Sequence, residues 1–546
     1  MVQSAAVNSA PALSPLDRWL PFAVLSAVAL GYAASLGGGW VWDDHFQIAH
    51  SGALDHPLQL WLHDVWWLAP ETDASSFYRP LSVLSYTLGR ALGAGPGFER
   101  LISLALHLFA VGLVATVAIT LGASRRAGWL AAAILGVHPG ASEAVAWLSA
   151  RHDLLGSVIV LGGWLALVRG REVPAGLLLG LAAFAKEAFL LTPLTVVIWS
   201  VALRRRSWTA LALSTTGVLA CLVLRTLVDV PMPTAGNSLG ELLGAAGGVA
   251  LRGFELALVP GSADAAALLE PSVWIAAAAL VAALCLVSRL PGRPILAALV
   301  APLPLLAPAA AASTQYGVVG DRYFYCLFCG AAIALALALT PLLRAHRQAS
   351  LLWAVVPALA LGTVARTTDW TSSVAIFEAS VQRDPANAHA AFHLAYSLHV
   401  YERECGRAIP LYEKGLGADP RSSGNLLACL LEVGDLERVV EIGPALAERF
   451  ADNPTAASNT ARGYLRNGDL APADRWAREA IQRDPERASS WALLGGVLGS
   501  GQHHTAAREA FLHALELDAS NADARQGLRV VELHIATAKP ARPGDD

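Results

Sequence analysis

Charged side chains are the scarcest class in this chain. Asp, Glu, Lys and Arg make up 15% of its 546 residues, against 55% apolar. A soluble enzyme of this length carries about a quarter charged residues, so one uniformly soluble body is excluded. Lysine is scarcer still: only Lys186, Lys414 and Lys539 occur, and every other strong base is Arg. With the richness in Ala, Gly and Leu, this fits a bacterial product of a GC-rich genome. The formal net charge is -4, which provides no basic surface for nucleic acid.

Six cysteines are too scattered for a disulfide framework or a paired CxxC metal motif. Cys326 and Cys329 have CxxC spacing, but they open an apolar helix beside Phe328 and read as small buried hydrophobes. Cys405 and Cys429 are able to pair in an oxidising compartment. Walker A, HExxH and Asn-x-Ser/Thr patterns are all missing, so a nucleotide-sugar donor is not indicated. No cofactor is expected. Gly236-Asn237-Ser238-Leu239-Gly240 matches G-x-S-x-G, yet a nucleophile elbow needs a preceding strand, and Pro231 and Pro233 stand there instead.

The charge deficit is uneven. Charges are thin from Trp19 to Ala365 and dense from Asp369 onward, which divides the chain into a membrane part and a soluble part. A spanning helix needs about 20 apolar residues. Candidate spans lie near 19–38, 98–121, 127–138, 153–168, 173–185, 188–203, 208–226, 272–288, 294–312, 325–343 and 350–366. The stretch 243–260 carries Arg252 and Glu255 and reads as re-entrant or interfacial. Five basic clusters, at Arg125/Arg126, Arg169/Arg171, Arg204–Arg206, Arg289/Arg293 and Arg344/Arg347, follow even-numbered crossings. The loops of the other side carry Asp43, Asp44, Asp55, Asp64, Glu71, Asp73 and Asp264. By the positive-inside rule the N-terminus is cytoplasmic and the C-terminal part lies outside. A cleaved signal peptide ending the first apolar run would leave that sidedness unchanged.

Beyond residue 369 the sequence repeats. Pro385, Pro420, Pro454 and Pro485 recur at close to the 34-residue TPR period, and Asp518-Ala519 continues the series. Trp491, Leu494 and Gly495 fit the first TPR helix, and Ala408 and Tyr412 the second. Four helix pairs are predicted, with an added helix near 371–383 and a capping helix near 520–535. That is enough to bury a continuous solenoid core. Such arrays bind protein partners in a concave groove, although Asn387, Tyr396, Asn425, Asn459 and Tyr464 read as structural. The predicted fold is therefore all-α. A helix bundle of about eleven spans covers 1–368, a TPR α-solenoid covers 369–536, and a disordered tail covers 537–546.

Ionisable residues at membrane depth are expensive and mark functional sites by default. Val41-Trp42-Asp43-Asp44-His45-Phe46 places two carboxylates just outside the first span, where one can act as a general base. A lipid-phosphate leaving group would need fixed cations nearby. His138-Pro139, Glu143, Arg151-His152-Asp153, Lys186-Glu187, Tyr78-Arg79-Pro80 and Asp321-Arg322-Tyr323 all fall toward the same outer side. Structural ion pairs are the plain alternative for each of them. His45 beside the acidic pair leaves a divalent ion open, but no metal-ligand constellation stands out.

In this order the motifs resemble the TMTC family of transmembrane, TPR-containing O-mannosyltransferases. Trp42-Asp43-Asp44, Phe77-Tyr78-Arg79-Pro80-Leu81, Leu106-His107-Leu108, His138-Pro139 with Glu143-Ala144-Val145-Ala146-Trp147, Arg151-His152-Asp153-Leu154-Leu155, Ala185-Lys186-Glu187 and Asp321-Arg322-Tyr323-Phe324-Tyr325 carry the likeness. The resemblance implies a GT-C bundle, a polyprenyl-phosphate-linked sugar donor and transfer to Ser or Thr hydroxyls of a protein, or to a glycan acceptor. It implies Asp43 or Asp44 as catalytic base. Arg79, His138, Arg151, Lys186 and Arg322 would bind the donor phosphate or sugar, with Glu143 orienting them. Tyr78, Asp153, Glu187, Asp321 and Tyr323 would complete the substrate site. The Ala/Gly-rich loop 227–271 and the short TPR array depart from the family pattern, so neither mannose nor the acceptor follows from it. A membrane-anchored TPR scaffold without catalysis, and a transporter, are the competing readings. The transporter is weakened because the spans show no repeated half.

Overall fold

A computed structural model describes residues 15–68, 77–230, 239–258, 267–268, 292–307 and 318–538. The expected span 272–288, the Ser of the G-x-S-x-G match, and Glu71, Asp73 and Asp264 lie outside these residues, as does 539–546. Two compact units divide at Ile376/Phe377.

The first unit is a bundle of apolar helices. Five are long and apolar enough to cross a membrane: Pro96–Thr120, Leu148–Val168, Trp208–Leu227, Asp321–Ala345 and Ala349–Asp369. Glu172–Phe184, Glu187–Leu203 and Arg293–Leu306 are shorter apolar helices, and the first helix, Pro15–Gly31, has 17 residues. Large apolar side chains point outward along them, among them Trp19, Phe22, Phe109, Leu219 and Leu361. An exposed apolar belt of that size is what a lipid-facing surface requires. Residues 239–258, expected in part as an interfacial stretch, form one helix, Leu239–Leu258.

Two helices of this bundle meet through backbone. Gly176 and Gly180 stand four apart on Glu172–Leu181, and a Cβ on Gly217 would lie 2.6 Å from the Gly180 Cα. Small residues at that spacing let membrane helices approach closely, where dispersion rather than hydrophobic burial holds them. At the centre, Trp164 and Trp199 are fully buried, with ring centroids 5.9 Å apart.

The second unit is built from helix pairs. Ala388–Val400 pairs with Cys405–Gly415, Arg421–Val433 with Leu436–Arg449, Pro454–Asn467 with Leu470–Arg483, and Ala488–Ser500 with His504–Leu517. Ser373–Arg383 precedes them and Ala522–Ala538 follows, so the last helix enters the segment expected as tail. Asn387 and Asn453 cap their helices by accepting from Ala390 N–H (3.0 Å) and Thr455 N–H (3.0 Å). Gly434 and Gly468 end theirs at φ 82° and 90°, left-handed positions that glycine enters without a Cβ clash. Ala391, Ala395, Ala408, Ala457 and Ala477 are buried between neighbours, as the solenoid pattern requires.

Candidate functional site

The acidic loop is folded tightly onto the bundle. Arg100, buried at the first turn of Pro96–Thr120, donates to the carbonyls of Gly38 (2.6 Å), Gly39 (2.6 Å), Trp370 (3.1 Å) and Ala146 (3.1 Å). Trp42 takes a left-handed φ of 53° and stacks on Trp147, with centroids 4.9 Å apart and planes 9° apart. The Trp147 indole N–H donates to the Val41 carbonyl at 3.2 Å.

This arrangement separates the two adjacent carboxylates. Asp44 is fully buried. One oxygen accepts from Val41 N–H (3.0 Å) and the other from Ser149 N–H (2.8 Å) and Ser149 O–H (2.7 Å). Burial pushes its pKa up to about 6, against the pull of those hydrogen bonds and of Arg100. Asp43 is only half-buried. Asp44 is thus a pin between the loop and the turn before Arg151–Val168, and Asp43 is the carboxylate left in partial contact with solvent.

Below the loop lies a charged network. Glu187 accepts from Arg79 Nε (2.8 Å) and from Tyr78 N–H (3.0 Å), with Arg225 Nη1 at 3.8 Å. Asp153 accepts from Lys186 Nζ, 2.6 Å from each oxygen, and has His152 Nε2 at 3.2 Å and Arg322 Nε at 3.9 Å. Arg79 and His152 approach within 3.4 Å. Glu143 binds Arg322 with one oxygen and accepts Asp321 N–H (2.8 Å) with the other. Asp321 in turn accepts from Arg252 at 2.9 Å. Arg322 lies over Trp147 (4.7 Å) and Tyr323 (4.6 Å), and Lys186 lies over Tyr323 (4.2 Å).

The network pairs its charges closely. Arg79, Arg225, Lys186 and Arg322 are held by Glu187, Asp153 and Glu143, and Arg252 is shared by Asp321 (2.9 Å) and Glu255 (3.0 Å). The buried Arg322 Nε has no hydrogen-bond partner among the described residues. Fixed cations clustered in this way suit a phosphate or other anionic group, since none of them needs to reorganise when charge develops. The Trp42–Trp147–Arg322 stack joins these cations to the acidic loop.

The structure therefore brings together Tyr78, Arg79, Glu143, Asp153, Lys186, Glu187, Asp321, Arg322 and Tyr323. Two expected members stand apart. Arg151 is fully buried and engaged by Glu99, whose carboxylate (2.7 Å) and carbonyl (2.7 Å) both meet its Nη2, and by Ser103 (3.1 Å) and the Ser85 carbonyl (3.1 Å). His138 accepts Gly140 N–H at 3.1 Å and packs its ring on Phe328, as the cap of a short turn. His45 joins no group of three close metal-ligating side chains among the described residues. Arg225 was missed by sequence reasoning, although an arginine closing the apolar run 208–226 is itself a signal. Arg100 and Glu99, at the mouth of another span, were missed in the same way.

No protein-family model matches the chain. Protein O-mannosyl-transferase TMTC3 of Mus musculus is 23% identical in an alignment covering 94% of this chain and 65% of that protein. Tmtc1 of Drosophila melanogaster is 38% identical over 143 residues, 25% of this chain and 17% of the relative. Tmtc2 of the same fly is 37% identical over 144 residues, 25% of this chain and 15% of the relative. The chain thus spans less than two thirds of the length of each of these curated relatives. Among solved structures, the TPR protein YrrB is similar over 29% of this chain and 82% of its own, at 16% identity and a TM-score of 0.25. A MamA fragment from Desulfovibrio magneticus is similar over 27% and 85%, also at 16% and 0.25. The curated homologues of this chain are TMTC-family protein O-mannosyltransferases, as its motifs implied.

Proposed function

We propose that this chain is a membrane glycosyltransferase of GT-C type. It moves a sugar from a polyprenyl-phosphate donor to a hydroxyl of a protein (Ser or Thr) or glycan acceptor. The observation that carries the reading is the joining of a half-buried carboxylate loop to the clustered, fixed cations Arg322, Lys186 and Arg79 through Trp42 and Trp147. In this scheme Asp43 removes the acceptor hydroxyl proton as its oxygen attacks the anomeric carbon. The bond from that carbon to the lipid phosphate breaks with inversion. Arg322, Lys186 and Arg79 face the phosphate charge that develops, and Glu143, Asp153 and Glu187 fix their positions. General-base catalysis of this kind contributes about 10²–10⁴-fold.

The remaining parts follow from the same reading. The N-terminus is cytoplasmic, the chemistry lies on the outer face of a bacterial inner membrane, and the TPR unit is periplasmic and engages the acceptor or a protein partner. The test is purified protein in detergent, given a panel of radiolabelled polyprenyl-phosphate sugars and a periplasmic protein extract. Label entering protein or glycan with one donor establishes the reaction and its sugar. If no donor yields label while a folded sample retains partners, the chain is a membrane-anchored scaffold instead.

A further inference from the structure

The first two TPR pairs hold a second group of chemistry-bearing residues, none of them used by the proposed transfer. His399 ends Ala388–Val400, Cys405 opens Cys405–Gly415, and Cys429 lies on Arg421–Val433 with Glu432 three residues on. Cys405 and Cys429 form a disulfide, with Cα atoms 5.1 Å apart. His399, Cys405 and Cys429 are buried, and their ligating atoms lie within 4.8 Å of one another. Glu432 bridges two of them: one oxygen is 3.2 Å from His399 Nε2 and the other 3.3 Å from Cys405 Sγ.

A disulfide needs neither an imidazole nor a carboxylate beside it. Zinc takes thiolate, imidazole and carboxylate ligands alike, and all three stand here side by side. Four N, O and S donors on a tetrahedral zinc stand about 3.3–3.8 Å from one another. Glu432 reaches His399 with one oxygen and Cys405 with the other at separations within a few tenths of an ångström of that, and one of the two oxygens has to turn inward to become the fourth ligand of the His399, Cys405 and Cys429 group. His399 meets a further requirement: its other ring nitrogen, Nδ1, lies 3.1 Å from the hydroxyl of the fully buried Tyr412. A zinc-bound imidazole has its remote nitrogen fixed in this way. The Glu432 side chain, 49% exposed, leaves a path for the ion.

We infer that in the dithiol state Cys405, Cys429, His399 and Glu432 bind one zinc ion, which links three helices of the first two TPR pairs. A dithiol reductant supplies the two electrons and two protons that convert the disulfide to two thiols and itself becomes a disulfide. Zinc then displaces the two thiol protons to give a bis-thiolate site. The oxidised pair offers no thiolate and binds no zinc, so the site is gated by the redox state of the chain.

The test is full-length protein in detergent, reduced with a dithiol, passed over a desalting column and titrated with zinc, with metal counted by elemental analysis. One zinc per reduced chain and none per oxidised chain is expected. Cobalt in place of zinc should give thiolate-to-metal charge-transfer absorption. Cys429→Ser should abolish both signals. Because that variant could unfold the corner, Glu432→Gln, at an exposed position, serves as the second variant. It should weaken zinc binding at least about ten-fold with helicity unchanged. A folded, reduced chain with two more titratable thiols than the oxidised chain and no bound zinc would overturn the proposal. So would wild-type zinc affinity in both variants.

Discussion

The two units of this chain treat charge in opposite ways. In the helical bundle, Arg79–Glu187, Lys186–Asp153 and Arg322–Glu143 are paired with side chains no more than 16% exposed. In the TPR unit, Arg478–Asp474 and Arg508–Glu532 are between 36% and 58% exposed. The TPR unit buries neutral caps such as Asn387 and small residues instead. Exposed pairs are worth about 0–1 kcal/mol, whereas a buried pair is poor value for stability unless something else needs it. The bundle buries its charged pairs, those of the proposed site and the structural Arg151–Glu99 pair alike, and the solenoid leaves its pairs at the surface.

That contrast can be broken most sharply at Glu187. Glu187→Gln leaves Arg79 and Arg225 buried beside a neutral amide, and stranding buried charges costs about 3–5 kcal/mol. A large drop in thermal unfolding temperature is expected, with loss of transfer. A variant as stable as wild type would mean that these cations are solvated. Next, Gly217→Val forces a side chain into the Gly180 backbone. Overpacking of this kind costs about 1–3 kcal/mol, read as a lower unfolding temperature in detergent.

The acidic loop sharpens the comparison through pH. The pKa of Asp44 is raised on folding to about 6 from 3.8, so between these values the folded chain holds more protons than the unfolded one. Its contribution is full below about pH 4 and is lost as pH rises to about 6. The unfolding temperature of wild type relative to Asp44→Asn should fall across that window and stay level above it. The smallest effect belongs to the TPR surface. Arg478→Ala removes an exposed i,i+4 pair, and stability should change by no more than about 0.5 kcal/mol. A loss of several kcal/mol there would contradict that contrast.

Much of this was legible in the sequence, because periodicity and short motifs are local. The TPR period, the caps and the apolar helices follow from residues close in the chain. The nine expected site residues that converge were each legible as a short motif at the mouth of a helix, but their meeting rests on long-range contacts such as Arg79–Glu187 and Arg322–Glu143. What was not legible depends on distant partners. Asp43 and Asp44 are indistinguishable by composition, and only Ser149, 105 residues on, buries one of them. Arg151 sits in a motif beside Asp153, yet Glu99 claims it from another helix. Cys405 and Cys429 were read as able to pair, but His399 and Glu432 join them only when three helices pack.

The central claim is that Asp43, not Asp44, removes the acceptor proton. It is tested most directly by the transfer rate of Asp43→Asn under conditions where unfolding temperature and helicity match wild type. A fall of about 10²–10⁴-fold with the fold intact is the predicted result. A folded Asp43→Asn enzyme that transfers sugar at the wild-type rate would contradict the account.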